Sequence, residues 1–232
     1  HPEAARIIAR ARTEIARLEA VFSLYRSDSA LSRLNAAGRI DAPPFELLEC
    51  LGQCARLHRA TGGRFDPTVQ PLWALHAAHH AGRSPEGPPP AAALARALAA
   101  TGWGRLRMDP GEIRLEPGMA LTLNGIAQGY VADRVADLLR GMGLDDVLVN
   151  TGEFHALGGD PRGGPWQVGL RAGEQLLDGA VPLRDGALAS SAALGTTFDA
   201  GARAGHIIDP ATGRTAPPRW SLVTVTAPRA WL

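Results

Sequence analysis

Four stretches of this chain put glycines and polar side chains where a core has use for neither. The first, Thr61-Gly-Gly-Arg-Phe-Asp-Pro-Thr-Val-Gln-Pro-Leu-Trp, sets the apolar ring of Phe65 beside the carboxylate of Asp66, in a turn that the Asp-Pro pair pushes toward an extended shape. A ring and an acceptor so placed can sandwich a planar ligand and take its N–H bonds. A helix stop followed by a strand start accounts for the same residues. The second, Leu123-Asn-Gly-Ile-Ala-Gln-Gly-Tyr-Val-Ala-Asp-Arg, runs from a strand through Asn124-Gly125 into a helix with Gly129 in its first turns. Main-chain N–H groups at a helix start attract phosphate, and bare glycines let a ligand approach. The glycine order is not that of a dinucleotide fingerprint, and a plain N-cap by Asn124 explains the segment as well.

The third stretch, Val149-Asn-Thr-Gly-Glu-Phe-His-Ala-Leu-Gly-Gly, closes an apolar strand. Glu153 and His155 there are suited to acid–base work, or to capping the next turn. The fourth extends from Ala189-Ser-Ser-Ala to Gly205-His-Ile-Ile-Asp-Pro-Ala-Thr-Gly-Arg. His206, between glycine and two isoleucines, reads as a ring at the edge of the core, and Asp209-Pro-Ala-Thr-Gly is a strong turn signal. Cys50, Cys54 and His58 fall on one helical stripe. A metal would need more ligands than these, and two small buried thiols are the ordinary outcome.

These groups need elements to position them. Apolar residues at helical spacing predict helices over 4–22, about 45–61, near 91–100, and over 126–141. Ser27 or Asp28 is expected to cap a short helix in the polar run after Tyr25. Residues 82–93 read as a loop, and 106–123 as a hairpin around Pro110-Gly111. A buried strand is expected at 146–150, followed by glycine-rich turns. Further strands are expected at 166–170, near 180–190, at 205–208 and at 221–226. Hairpin strands with a few long helices argue α+β rather than a doubly wound parallel sheet.

Composition narrows the chemistry. The chain has 232 residues, 45% hydrophobic, with a net charge of +1, which gives no electrostatic reason to expect nucleic acid. All 24 basic residues are arginine, which excludes a lysine Schiff base and a phosphate loop of the Walker type. No apolar run is long enough to span a bilayer, and no signal peptide is visible. The chain opens on histidine and stops just after a strand-like run, so it reads as one domain over 1–232, truncated at both ends.

Taken in order, these blocks resemble one family, the ApbE-like FAD:protein FMN transferases. The blocks are Tyr25…Ser29-x-Leu31-Ser32-x-Leu34-Asn35, Gly63-x-Phe65-Asp66-Pro67-Thr68-Val69-x-Pro71-Leu72, Gly102-Trp103, Asn124-Gly-Ile-Ala-x-Gly-Tyr-x-x-Asp, Leu148-Val149-Asn150-x-Gly152 and His206-Ile-Ile-Asp-Pro-x-Thr-Gly213. The resemblance implies two intimately packed lobes of mainly antiparallel sheet with flanking helices, and an FAD site in the cleft between them. It implies that Tyr25, Arg64, Phe65 and Asp66 line the isoalloxazine, that Thr122, Gly125 and Gln128 surround the pyrophosphate and adenosine, and that Ile207 and Ile208 pack on the nucleotide. The carbonyl of Gly125 would be one ligand of a Mg²⁺ ion. The implied reaction moves FMN from FAD to a Ser or Thr hydroxyl of an acceptor flavoprotein and releases AMP, with His206 as the base.

The chain departs from the family's pattern in places. Thr122 stands where an acidic residue is common, Gln128 where Lys or Glu is frequent, and Ser190-Ser191-Ala192 where Thr-Ser-Gly is usual. The family's metal-binding Asp and Thr belong to a helix beyond Leu232, so the metal site is expected to be incomplete in this chain. Two other activities fit the resemblance: a pyrophosphatase that splits FAD to FMN and AMP, and a non-enzymatic flavin carrier serving a respiratory metalloenzyme. The family also implies a periplasmic or envelope-associated bacterial protein.

Overall fold

The computed structural model describes residues 3–82, 87–199 and 201–232; positions 83–86 of the expected 82–93 loop lie outside them. The chain divides into two compact units. One comprises residues 1–19, 126–192 and 221–232, the other 20–125 and 193–220. Helices and antiparallel sheets make up both, the α+β class that hairpin connections and amphipathic helices predict.

The first unit is built on a four-stranded sheet of β4 (Val147–Asn150), β5 (Phe154–Leu157), β8 (Gly186–Ser191) and β9 (Val223–Ala227), antiparallel throughout and in the order β4-β5-β8-β9. A separate ribbon pairs β6 (Trp166–Ala172) with β7 (Gln175–Leu183). Helix α6 (Ala127–Gly141) lays Val135, Ala136 and Leu139 against Val149 and Leu157, and Ile7 of helix α1 (Ala4–Phe22) joins that core. Two expectations change here. The strand at 146–150 is an edge strand, only half-buried, and the turns after it give way at once to β5, whose last three residues are buried. Alternation is hidden in β5 because both of its faces are covered.

The second unit holds α2 (Ala30–Ala37), α3 (Phe45–Ala60), α4 (Gln70–His80), α5 (Ala91–Ala99) and a small sheet, β1-β3-β2, of Arg39–Asp41, Glu112–Arg114 and Arg107–Met108. Helix α3 buries Leu47, Cys50, Leu51 and Cys54 on one stripe. The hairpin expected over 106–123 is confined to β2 and β3, and the other edge of β3 is taken by β1, an unpredicted strand. Residues 115–123 leave the sheet at Pro117-Gly118, where proline has no N–H for a ladder. Residues 205–208 contribute isolated bridges, Thr197 to Gly205 and Ile208 to Thr215, instead of a strand. The cap of α2 is Ser29, whose Oγ accepts the N–H of Ser32 at 3.0 Å; Asp28 is held outward by Arg26.

The stretch after Gly63 is not a strand start. Asp66 Oδ1 accepts the N–H of Thr68 at 2.8 Å and its hydroxyl at 2.6 Å, capping a short 3-10 turn, Pro67–Val69, that leads directly into α4. Pro67 suits the first position of such a turn, where its missing N–H costs nothing.

Candidate functional site

The second unit contains every candidate ligand-binding residue except Gln128. Its centre is the turn over 61–67. Gly62 and Gly63 adopt φ of +58° and +81°, which closes the C-terminus of α3 and reverses the chain. The Phe65 N–H donates to Thr61 Oγ1 at 3.0 Å, and the Phe65 carbonyl accepts from His58 Nδ1 at 2.9 Å. The loop leading to Gly125 runs beside it, because the Thr122 N–H donates to the Pro67 carbonyl at 2.8 Å. A Cβ on Gly125 would lie 3.4 Å from Phe65 Cε2, so the edge of the phenyl ring rests against uncovered main chain. That loop is fixed from behind by Asn35, whose amide donates to the Leu121 carbonyl at 2.8 Å and accepts the Leu121 N–H at 2.7 Å.

The other predicted residues fall around or away from this centre. Asp66 has a side chain only 6% exposed, with Oδ1 capping and Oδ2 accepting the N–H of Trp103 at 3.3 Å. Its first task is therefore to hold the turn. Arg64 is exposed beside Phe65, and Tyr25 is 90% exposed. Among the described residues, no hydrogen bond or ring contact joins Tyr25 to the Phe65 turn. His206, Ile207 and Ile208 sit on a different loop of the same unit. His206 is half-buried, and both its main-chain N–H and its Nδ1 lie 3.0 Å from the Thr196 carbonyl. A carbonyl only accepts, so Nδ1 carries the proton and the neutral ring keeps its lone pair on Nε2. The Asp209 turn forms as expected: Gly213 adopts φ +69°, and its carbonyl accepts from the buried His76 at 2.8 Å, tying the loop to α4.

In the first unit, Gln128 is exposed in the first turn of α6 and its amide rests against Gly152, where a Cβ would come 2.8 Å from Nε2. The N-cap position of α6 is Ile126, with no side-chain cap; Asn124 is exposed and does not take that role. Glu153 accepts the Ser190 N–H at 3.2 Å, and burial pushes its carboxyl above the usual range. His155 points into the core, with Nδ1 2.5 Å from Asp133, so it serves the fold and not a crevice. The Cys50 and Cys54 thiols are both buried, and Cys50 beside it, together with burial, pushes the Cys54 thiol up. Sequence reasoning missed the supporting parts played by His58, Asn35 and Asp133. Each belongs to a helix and acts outside it, His58 on the turn that follows and Asn35 and Asp133 on residues far along the chain, which periodicity does not reveal.

The fold and this site define a mixed helix and antiparallel-sheet protein whose glycine-bearing turns leave an aromatic edge and main chain open. The family model described as "ApbE family" matches residues 3–232, and the chain belongs to that family. It is 29% identical to the FAD:protein FMN transferase of Haemophilus influenzae, over 91% of this chain and 65% of that protein. It is 32% identical to a Vibrio cholerae protein of the same name, over 92% of this chain and 67% of the relative. The chain thus spans about two thirds of the length of these curated relatives. The crystal structure of the Pseudomonas stutzeri flavinyl transferase ApbE in its apo form superposes with a TM-score of 0.84 at 28% identity, covering 98% of this chain and 72% of that one.

Proposed function

We propose that the protein is an FAD:protein FMN transferase. The observation that carries this reading is the Phe65 edge laid against the bare Gly125 main chain, in a chain of the ApbE family. A flat, partly apolar ring system suits such a surface, and the exposed Ile207 adds apolar area for the nucleotide. FAD is the donor substrate. A Ser or Thr hydroxyl of an acceptor flavoprotein attacks the phosphorus on the FMN side. The new P–O bond forms as the bond to AMP breaks, and AMP carries away the electron pair. The hydroxyl proton passes to His206 Nε2, which the Thr196 carbonyl leaves free to accept it.

The family's Mg²⁺ belongs to this proposal, with the Gly125 carbonyl as a ligand. Magnesium prefers six oxygens, and among the described residues no three His, Cys, Asp or Glu side chains gather as a metal site. Among the described residues the cage is not complete, and the proposed transfer uses only the chain's own groups. Export to the bacterial envelope is likewise part of the proposal; among the described residues, no helix is long and apolar enough to cross a membrane.

The test incubates the protein with FAD and Mg²⁺, with and without an acceptor flavoprotein carrying a Ser or Thr site. FMN bound covalently to the acceptor, with matching AMP, supports the transferase. Free FMN in both tubes makes it a pyrophosphatase, and FAD bound but intact makes it a carrier.

A further inference from the structure

His58 lies outside every block that carries the family resemblance, yet the Phe65 turn is built around it. It stands one helical turn beyond Cys54, at the end of the buried stripe of α3, with its side chain 25% exposed. Six contacts form a closed bracket. His58 Nδ1 donates to the Phe65 carbonyl at 2.9 Å. Asp66, the next residue, gathers the N–H and hydroxyl of Thr68 on one oxygen and the Trp103 N–H on the other. Thr68 Oγ1 in turn accepts the Gly102 N–H at 2.7 Å. The Trp103 ring then returns to His58, stacked at 6.0 Å between centroids and 29° between planes. Gly63 fits beneath the same imidazole, since a Cβ there would lie 3.5 Å from His58 Cε1.

We propose that His58 is a positioning residue for the flavin, holding residues 61–67 in the shape that presents the Phe65 ring beside Gly125. The inference rests on the flavin reading above. Its physical basis is pre-organisation: a turn already ordered before binding loses less conformational freedom when the ligand arrives. The two glycines make the turn soft, and neither the Thr61 hydroxyl nor Asp66 holds the Phe65 carbonyl. That carbonyl is tied by the imidazole. The essential group is thus one N–H donor at the Nδ1 position, with the ring stack on Trp103 a secondary support.

Three variants of the protein separate these roles: H58A removes donor and ring, H58F keeps a ring without a donor, and H58N keeps a donor near the Nδ1 position without a ring. Affinity for FAD is read by flavin fluorescence, the KM for FAD and kcat by AMP release, and protection of residues 61–67 by amide hydrogen exchange. H58A and H58F are expected to weaken FAD about tenfold. In both, exchange in the turn quickens and KM rises more than kcat falls. H58N is expected to recover most of that loss. Wild type that leaves FAD unbound removes the flavin reading and this inference with it. Wild type that binds FAD while H58A binds as tightly, or while H58N is as weak as H58A, overturns this inference alone. Equal kcat loss in all three with KM unmoved does the same.

Discussion

Two histidines tie a neighbouring element in place through Nδ1, one in each unit, and they do so in different surroundings. His58 donates to a main-chain carbonyl, with the Asp66 carboxylate 3.9 Å from the same nitrogen, and is a quarter exposed. His155 meets the carboxylate of Asp133 at 2.5 Å, with both side chains at 3% exposure or less. That carboxylate also accepts the Ala230 N–H at 2.9 and 3.1 Å. A neutral bond near water is worth about 1 kcal/mol and can be replaced. A buried polar pair cannot lose one member cheaply, because the groups left behind have already given up their solvation. In the unit with most of the expected ligand contacts, the Phe65 turn is therefore ordered before a ligand arrives by a partly solvated bond. The other unit is fastened by a dry polar network.

The sharpest way to break this contrast is Asp133→Ala. It strands the His155 ring and the Ala230 N–H in the core, and a loss of roughly 3–5 kcal/mol is expected in urea unfolding. A loss under about 1 kcal/mol, the scale of an exposed hydrogen bond, would erase the distinction between the units. Next in size, His206→Ala should lower AMP release by roughly 100-fold or more, as removal of a general base does. Its melting temperature should stay near wild type, because the ring's one described bond is to an exposed loop carbonyl. Unchanged AMP release would remove His206 from the reaction.

A pair of glycines sharpens the comparison further. Gly129, buried in α6, is covered by the Ala230 main chain, and an added Cβ would overlap the Ala230 carbonyl. Gly129→Ala is expected to cost about 1–3 kcal/mol, the usual toll of overpacking. Gly125→Ala meets only the edge of Phe65 at 3.4 Å and should leave stability within about 0.5 kcal/mol, as at an ordinary exposed site, while weakening FAD. Equal stability losses in the two variants would mean that the Phe65 turn is as rigid as α6.

How far the sequence could carry these conclusions depended on whether the signal was local. Helices α1, α3, α5 and α6 were legible because each repeats its own apolar period, and the Asp209 turn because its residues fix its geometry. Helix α4 was not. Its histidines and Trp73 share no clean polar face, and it has no side-chain cap of its own but follows the 3-10 turn that Asp66 caps. Strand β1 was missed because three residues with one buried isoleucine carry no period; β3, more than 70 residues away, makes them a strand. At the site, Phe65 and Gly125 were named from their types, and the structure brings them together. Their supports, His58 and Asn35, were not assigned that role, since a histidine at the end of a buried stripe and an asparagine in a short helix have many uses.

The smallest expected effect tests the rim of the dry network. Arg229 makes two bonds to Asp137, at 2.9 and 2.8 Å, and the guanidinium holds that carboxyl below its usual range. A depressed carboxyl contributes stability that is present above its unfolded pKa and is lost as pH falls through the folded one. Both side chains are more than a third exposed, so screening keeps the contribution below about 1 kcal/mol. The free-energy gap between wild type and Asp137→Asn should be open at neutral pH, narrow below about pH 4, and shrink with salt. Glu153 supplies the opposite sign in the same unit, because burial raises its carboxyl. Wild type should gain on Glu153→Gln as the solution is acidified. If both gaps move the same way with pH, the two carboxyls do not differ as described, and the boundary between the dry network and its solvated rim has been drawn in the wrong place.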